Sequence, residues 1–248
     1  MRKVQFTPWF WVAAGVLVLL VVGALSTPLS PAGWAAALGY LVVSSVLVSR
    51  GLRRRASTRF GAANAVTATR SMLVGVATGI VVTSLTGGIP SVLLVTIVAV
   101  ALALDGVDGY VARRTDSVSE LGARFDMEVD AFLLLVLCVY DARFVGGWVL
   151  AIGLMRYAFV AATWVLPSLG RTLPYRYWRK VVAAVCGIVL AVIAAQVLPP
   201  VVAVIVAAGA LLLLLESFGR DVLWTVRMNR TDARLVSLQK ASARDGSR

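Results

Sequence analysis

At 248 residues, with 60% hydrophobic and only 15% charged side chains, the chain has too little polar surface for a soluble protein of its length, and its repeated apolar runs of about 20 residues match the thickness of a bilayer core. The net charge of +12, from 24 Lys and Arg against 12 Asp and Glu, comes without any aromatic-basic module, so no nucleic-acid partner is expected. With no histidine in the chain, and with Cys138 and Cys186 inside apolar runs and outside any C-x2-C spacing, zinc and thiol redox sites lack their usual residues.

Eight segments of spanning length follow in chain order, at 9–26, 32–50, 64–85, 88–113, 119–141, 144–166, 178–197 and 200–219. All are Leu/Val/Ala-rich with Gly, and none alternates apolar and polar residues, so they predict helices and not the strands of a membrane barrel. The first follows MRK and leads into ALSTPLSPAGWAAALGY; its small residues near Ala24 and Ser26 are a weak cleavage signal, and it is read as a retained helix. Between the second and third segments, GLRRRASTRFGAA is basic with few apolar residues and predicts a short interfacial helix leading into Asn64. The last segment runs into a basic tail that starts as a helix and frays toward SARDGSR.

Lys and Arg fall on one side of this arrangement. With the N-terminus inside, the cytoplasmic face receives Arg2, Lys3, Arg50, Arg53, Arg54, Arg55, Arg59, Arg113, Arg114, Arg171, Arg176, Arg179, Lys180 and the tail, whereas the opposite face receives Arg143. That is the positive-inside pattern, and it puts both termini in the cytoplasm; a bacterial-type cell membrane is the expected location. Arg53 to Arg55 serve either as a topology signal alone or as contacts to anionic headgroups.

The stretch LDGVDGYVARRTDSVSELGARFDMEVD, residues 104–130, holds seven of the twelve carboxylates. An acid at membrane depth costs about 2.5–3.5 kcal/mol even on insertion scales, so such residues are paired, hydrated or bound to a cation. Helical spacing puts Asp105 and Asp108 on one face near the cytoplasmic end of a span, and Gly122, Asp126 and Asp130 on one face of the next. The short connector returns the chain antiparallel, so four carboxylates can face one cavity. Oxygen-only donors select Mg²⁺ or Mn²⁺, with Ca²⁺ also open, and two such ions could polarise a phosphoryl group. Gly109 and Gly122 remove side chains where a bulky ligand would approach, or else permit close helix packing. Glu128 points away from the Asp126–Asp130 face. Glu120 suits a first helical turn, and Asp116 and Ser117 suit N-caps.

This pattern resembles the signature of the CDP-alcohol phosphatidyltransferase family, D-x2-D-G-x2-A-R-x8-G-x3-D-x3-D. Its fixed positions are present as Asp105, Asp108, Gly109, Ala112, Arg113, Gly122, Asp126 and Asp130. Upstream, NAVTATR at 64–70 is similar to the N-x2-T-x2-R that opens the family's first core helix. The resemblance implies an all-α polytopic integral membrane protein: a two-helix addition with its connector at 1–63, a six-helix catalytic core at 64–219, and a cytoplasmic tail at 220–248. It implies transfer of a phosphatidyl group from CDP-diacylglycerol to a small alcohol acceptor, with release of CMP. Asp105, Asp108 and Asp126 then hold Mg²⁺ or Mn²⁺, and Asp130 is the general base and a further ligand. Asn64, Thr67, Arg70, Gly109, Ala112, Arg113 and Gly122 line the nucleotide side. Membrane lipids are the other partners, and a homodimer is compatible with the family.

The acceptor end is less specified. Arg156, inside LAIGLMRYAFV, together with Arg171, Arg179 and Lys180, would suit a phosphorylated polyol, or the loop cations are topology charge alone. Arg179-Lys180 resembles the family's Gly-Lys step, but Val-Ala and Cys186 replace the residues that commonly follow. Tyr175, Tyr177 and Trp178 read as an interfacial aromatic belt. Two alternatives share these features: a transferase that joins a CDP-alcohol to diacylglycerol, and a divalent-cation transporter. The clustering of the key acids toward one face favours catalysis over an ion path.

Overall fold

The computed structural model describes residues 7–25, 28–54, 62–87, 91–114, 120–165 and 177–245; the side chains at 7, 54, 62–63, 107–114, 120–121, 165, 177, 226 and 229–245 lie outside that description. Among the described residues the chain is helical with no strand. The helices are α1 (Thr7–Leu25), α2 (Pro31–Arg54), α3 (Ala62–Ser84), α4 (Ser91–Arg114), α5 (Glu120–Val145), α6 (Leu150–Val165), α7 (Tyr177–Ala194) and α8 (Pro200–Asp245), with one 3-10 turn at Gly147–Val149. These are the eight predicted segments. Five spans are long and apolar enough by themselves to cross a bilayer: Pro8–Leu25, Pro31–Arg53, Asn64–Ser84, Gly147–Trp164 and Pro200–Thr225. The apolar run of α4, Ser91–Gly106, is shorter, and α5 opens with the charged turns of the acidic stretch.

The protein is therefore an all-α polytopic membrane protein. Phe10, Leu17, Val201, Ile205 and Leu212 are exposed, as suits helices whose outer faces meet lipid. Several hydroxyls within the spans are satisfied by their own helix: Thr78 Oγ1 donates to the Val74 carbonyl at 2.7 Å and Thr83 Oγ1 to that of Gly79 at 2.8 Å.

Two helices organise the rest. α3 packs against α1, α2, α4 and α5, while α5 also meets α6, α7 and α8. In α3, Val74, Val76, Ala77, Ile80 and Val81 are all buried although they point in different directions, the mark of a central helix. Glycine makes its contact with α2 close. A Cβ on Gly75 would lie 2.7 Å from Leu41 Cδ2, and one on Gly33 would lie 2.7 Å from the Gly79 carbonyl oxygen. Gly75-x3-Gly79 thus faces Gly33-x3-Ala37, small residues at one-turn spacing that let the two backbones approach. The start of α2 is fixed locally by Ser30, whose Oγ accepts from the Gly33 amide at 3.0 Å, with Pro31 in the first helical position. Ser30 also receives support from α3, because its amide donates to Thr83 Oγ1 at 3.1 Å.

The far end, opposite the acidic stretch, is closed by Arg143. Its Nη1 donates to the Ser84 carbonyl at 2.6 Å, its Nη2 to Ser84 Oγ at 3.2 Å and its Nε to the Tyr140 carbonyl at 3.3 Å, while the guanidinium carbon lies 4.4 Å from the Tyr140 ring centre. A cation there meets the last carbonyls of α3 and the negative end of its dipole. The lone basic residue assigned to that face is thus a helix cap. Arg143→Ala is expected to lower stability by about 1–2 kcal/mol, read as an earlier thermal unfolding midpoint in detergent. Arg143→Lys, with one point charge in place of a fork, should recover only part of it; an unchanged midpoint in both would remove the cap role.

α8 does not stop at the membrane boundary. Its 46 residues extend about 69 Å at 1.5 Å per residue, roughly twice the hydrocarbon thickness. The basic segment after residue 219 continues the same helix to Asp245.

Candidate functional site

The acidic stretch folds as the end of α4 and the start of α5, and α3 lies against both. Carboxylate oxygens of Asp105, Asp126 and Asp130 all lie within 4.8 Å of one another. Arg70 reaches them from α3: its Nη1 is 3.1 Å from Asp105 Oδ1 and also donates to Asp126 Oδ1, while its Nη2 donates to Asp130 Oδ1. Arg70 is 1% exposed, whereas the Asp105, Asp126 and Asp130 side chains are 44%, 26% and 38% exposed. The guanidinium therefore closes the site from the protein interior, and the carboxylates remain open on their other side.

The charge balance is informative. With all three carboxylates ionised, the one guanidinium leaves a formal charge of −2 (−3 + 1) on the described groups. Close like charges of this kind are relieved by a bound cation or by a shared proton. An all-oxygen donor set of this charge fits a hard divalent ion. The side chains of Asp108, Gly109, Ala112 and Arg113 lie outside the described residues, so the fourth expected carboxylate is not among those located.

The other expected residues divide into two groups. Thr67 is buried and Asn64 half-buried on the same helix as Arg70, and Gly122 lies one turn before Asp126 on α5. At the acceptor end, Arg156 on α6 pairs with Glu128 on α5. Arg179 on α7 lies 3.6 Å from Asp221 on α8, and Asp221 is 7% exposed. Lys180 is exposed. Arg171 lies outside the described residues, as do the 55–61 connector, Asp116, Ser117 and Tyr175. Next to the Arg179 pair, Trp178 Nε1 donates to Glu216 Oε2 at 3.1 Å and Glu216 also pairs with Arg220.

Arg70, expected on the nucleotide side, meets three aspartates, a contact that nothing in its local sequence signals. The partners of Arg179 and Trp178 went unread because Glu216 and Asp221 fall at the end of an apolar run and the start of a basic tail. Glu128, expected to face away from the metal-type cluster, pairs with Arg156 of α6.

The fold defines a polytopic helical membrane protein with an acidic cluster near one end of its central helices. A family model for CDP-alcohol phosphatidyltransferase matches residues 60–215. The chain belongs to that family and is a transferase of that kind, acting in membranes on a CDP-alcohol and an alcohol acceptor. No curated protein and no solved structure was found to match it significantly. The match begins at the start of α3 and ends within α8, so α1 and α2 lie outside it.

Proposed function

We propose that the protein transfers the phosphatidyl group of CDP-diacylglycerol to an alcohol acceptor that carries a phosphate, forming a phosphodiester and releasing CMP. The observation that carries this reading is the convergence of Asp105, Asp126 and Asp130 within 4.8 Å inside the family's span. Together with Asp108 these residues would hold Mg²⁺ or Mn²⁺, which when bound supplies electrophilic polarisation of the phosphoryl group. The chain's own residues do the rest. Asp130 accepts the proton of the acceptor hydroxyl, because a chain without histidine has a carboxylate as its available base at this position. Arg70 holds Asp126 and Asp130 in place through its two terminal nitrogens. Asn64, Thr67, Gly109, Ala112, Arg113 and Gly122 form the nucleotide side, with Arg113 on phosphate. The open side of the carboxylates faces the cytoplasm, in keeping with the Lys and Arg distribution.

Arg156, Arg171, Arg179 and Lys180 bind the acceptor's phosphate. Arg156 is held by Glu128 and retains 30% exposure, so an anionic acceptor can share its guanidinium. Arg156→Ala is expected to raise the acceptor KM with kcat little changed, because phosphate binding is common to ground and transition states. Glu128→Gln should move the KM the opposite way. An unchanged acceptor KM in folded Arg156→Ala protein would leave the pair as a link between α5 and α6 only.

The direct test is purified protein in detergent with labelled CDP-diacylglycerol, Mg²⁺ or Mn²⁺ and a panel of alcohols and phosphorylated polyols, following CMP release and identifying the lipid product. A product formed only from a free CDP-alcohol and diacylglycerol would reject the proposed direction of transfer.

A further inference from the structure

The residues on either side of Arg70 are each held by a helix outside the family's span. Successive residues on a helix point about 100° apart, so Thr69 and Ser71 flank the Arg70 side chain on opposite sides. From α1, Trp11 Nε1 donates to Thr69 Oγ1 at 2.9 Å; the Thr69 hydroxyl itself donates to the Ala65 carbonyl at 2.9 Å, which leaves its oxygen to accept. From α2, Tyr40 Oη and Ser71 Oγ share a hydrogen bond at 3.2 Å. The same Tyr40 ring stacks on Phe132 of α5, with ring centres 4.5 Å apart and planes 16° apart. Phe132 is two residues past Asp130.

Tyr40 thus touches α3 at the residue next to Arg70 and α5 about half a turn past Asp130, so it bridges the two helices close to the level of the Arg70–Asp130 bond. Its own helix has little room to shift against α3. Leu41, the next residue, fills the space in front of Gly75, where a Cβ would come within 2.7 Å of Leu41 Cδ2 and 3.2 Å of Tyr40 Cδ1. A buried arginine that must present two nitrogens to two carboxylates has a long, flexible side chain, so the position of its backbone and of the facing helix decides whether the fork fits.

We propose that Tyr40 is a positioning residue for the Arg70–Asp130 pair, and that the α1–α2 hairpin serves the transfer reaction by fixing α3 and α5 in register at the acidic cluster. The inference rests on the reading of that cluster as the reaction site. It assigns a task to the two helices that precede the family's core, and it divides that task between a polar contact and an aromatic one. The stacked pair sets the distance between α2 and α5, and the two hydroxyl contacts, from Trp11 and from Tyr40, set the rotation of α3 about its axis.

The test uses the full-length protein in detergent, with kcat and the KM of each substrate measured for Tyr40→Ala, Tyr40→Phe, Ser71→Ala and the double variant Tyr40→Phe/Ser71→Ala. Tyr40→Ala is expected to lower kcat by about 10–100-fold, since small misplacements at reacting groups have effects of that order, while the KM for CDP-lipid changes far less. Tyr40→Phe keeps the stack and should restore most of the rate, leaving a deficit of about fivefold, the worth of one neutral hydrogen bond. Ser71→Ala should show the same deficit, and the double variant should add nothing to it, because both remove one contact. A role in stability alone would lower the unfolding temperature and leave the turnover of the folded fraction unchanged. Wild-type kcat in folded Tyr40→Ala protein would overturn the proposal. Should that variant not fold, full activity or additive losses in the Tyr40→Phe and Ser71→Ala set would overturn it equally. Asp105→Asn and Asp130→Asn serve as controls: inactive controls beside normal Tyr40 variants reject positioning alone, and full activity in both controls rejects the site and the inference with it.

Discussion

Asp130→Asn is expected to reduce turnover by about 10²–10⁴-fold, the range for loss of a general base, while binding of CDP-lipid stays measurable. The replacement is nearly isosteric and keeps an oxygen that can accept from Arg70 Nη2, so the α3–α5 contact made by that bond can persist. What it removes is the charge and the ability to take a proton. Asp105→Asn and Asp126→Asn separate the two roles proposed for this cluster. Both residues meet Arg70 Nη1, and their loss should weaken metal and nucleotide binding together. Near-wild-type kcat in folded Asp130→Asn protein would refute the base assignment. Loss of CDP-lipid binding in the same protein would make Asp130 a ligand first.

Removal of divalent metal is expected to abolish activity, with recovery on adding Mg²⁺ or Mn²⁺. The physical reason is the excess of carboxylates over cations among Asp105, Asp126, Asp130 and Arg70, which disfavours approach of an anionic pyrophosphate until a cation offsets it. Binding of Mn²⁺ followed by its paramagnetic spectrum gives a readout independent of turnover. It should weaken in Asp105→Asn and Asp126→Asn and be unaffected in Arg143→Ala, since Arg143 caps the opposite end. Full turnover after exhaustive chelation and dialysis would reject a metal-dependent mechanism.

Much of this protein follows from local sequence. Spans of about 20 apolar residues can only be helices in a bilayer, because each backbone polar group must be satisfied within the segment. The eight helices therefore appear close to where the hydropathy places them. The spacing of Asp126 and Asp130 puts both carboxylates on one helix face, and Asp105 meets them from the end of α4. Glu128, on a different face of α5 by angle, pairs with Arg156.

What only the tertiary structure decided is which face of each membrane helix meets which neighbour. In a soluble helix the apolar stripe marks the buried side, but lipid is as apolar as a protein interior, so α1, α2 and α3 carry no such stripe to read. Arg70 is 35 residues before Asp105 and 60 before Asp130 in the chain, and no periodicity within α3 says that it turns toward α4 and α5 and not toward lipid. The same holds for Trp11 on Thr69, Tyr40 between Ser71 and Phe132, and Arg179 on Asp221. Small residues were the one available signal: Gly33, Ala37, Gly75 and Gly79 mark where backbones approach, yet which two helices they join depends on packing across the whole bundle. Composition and helical period thus determined the membrane helices and the acidic faces, and interhelical packing determined the cation that joins those faces and the hairpin that supports it.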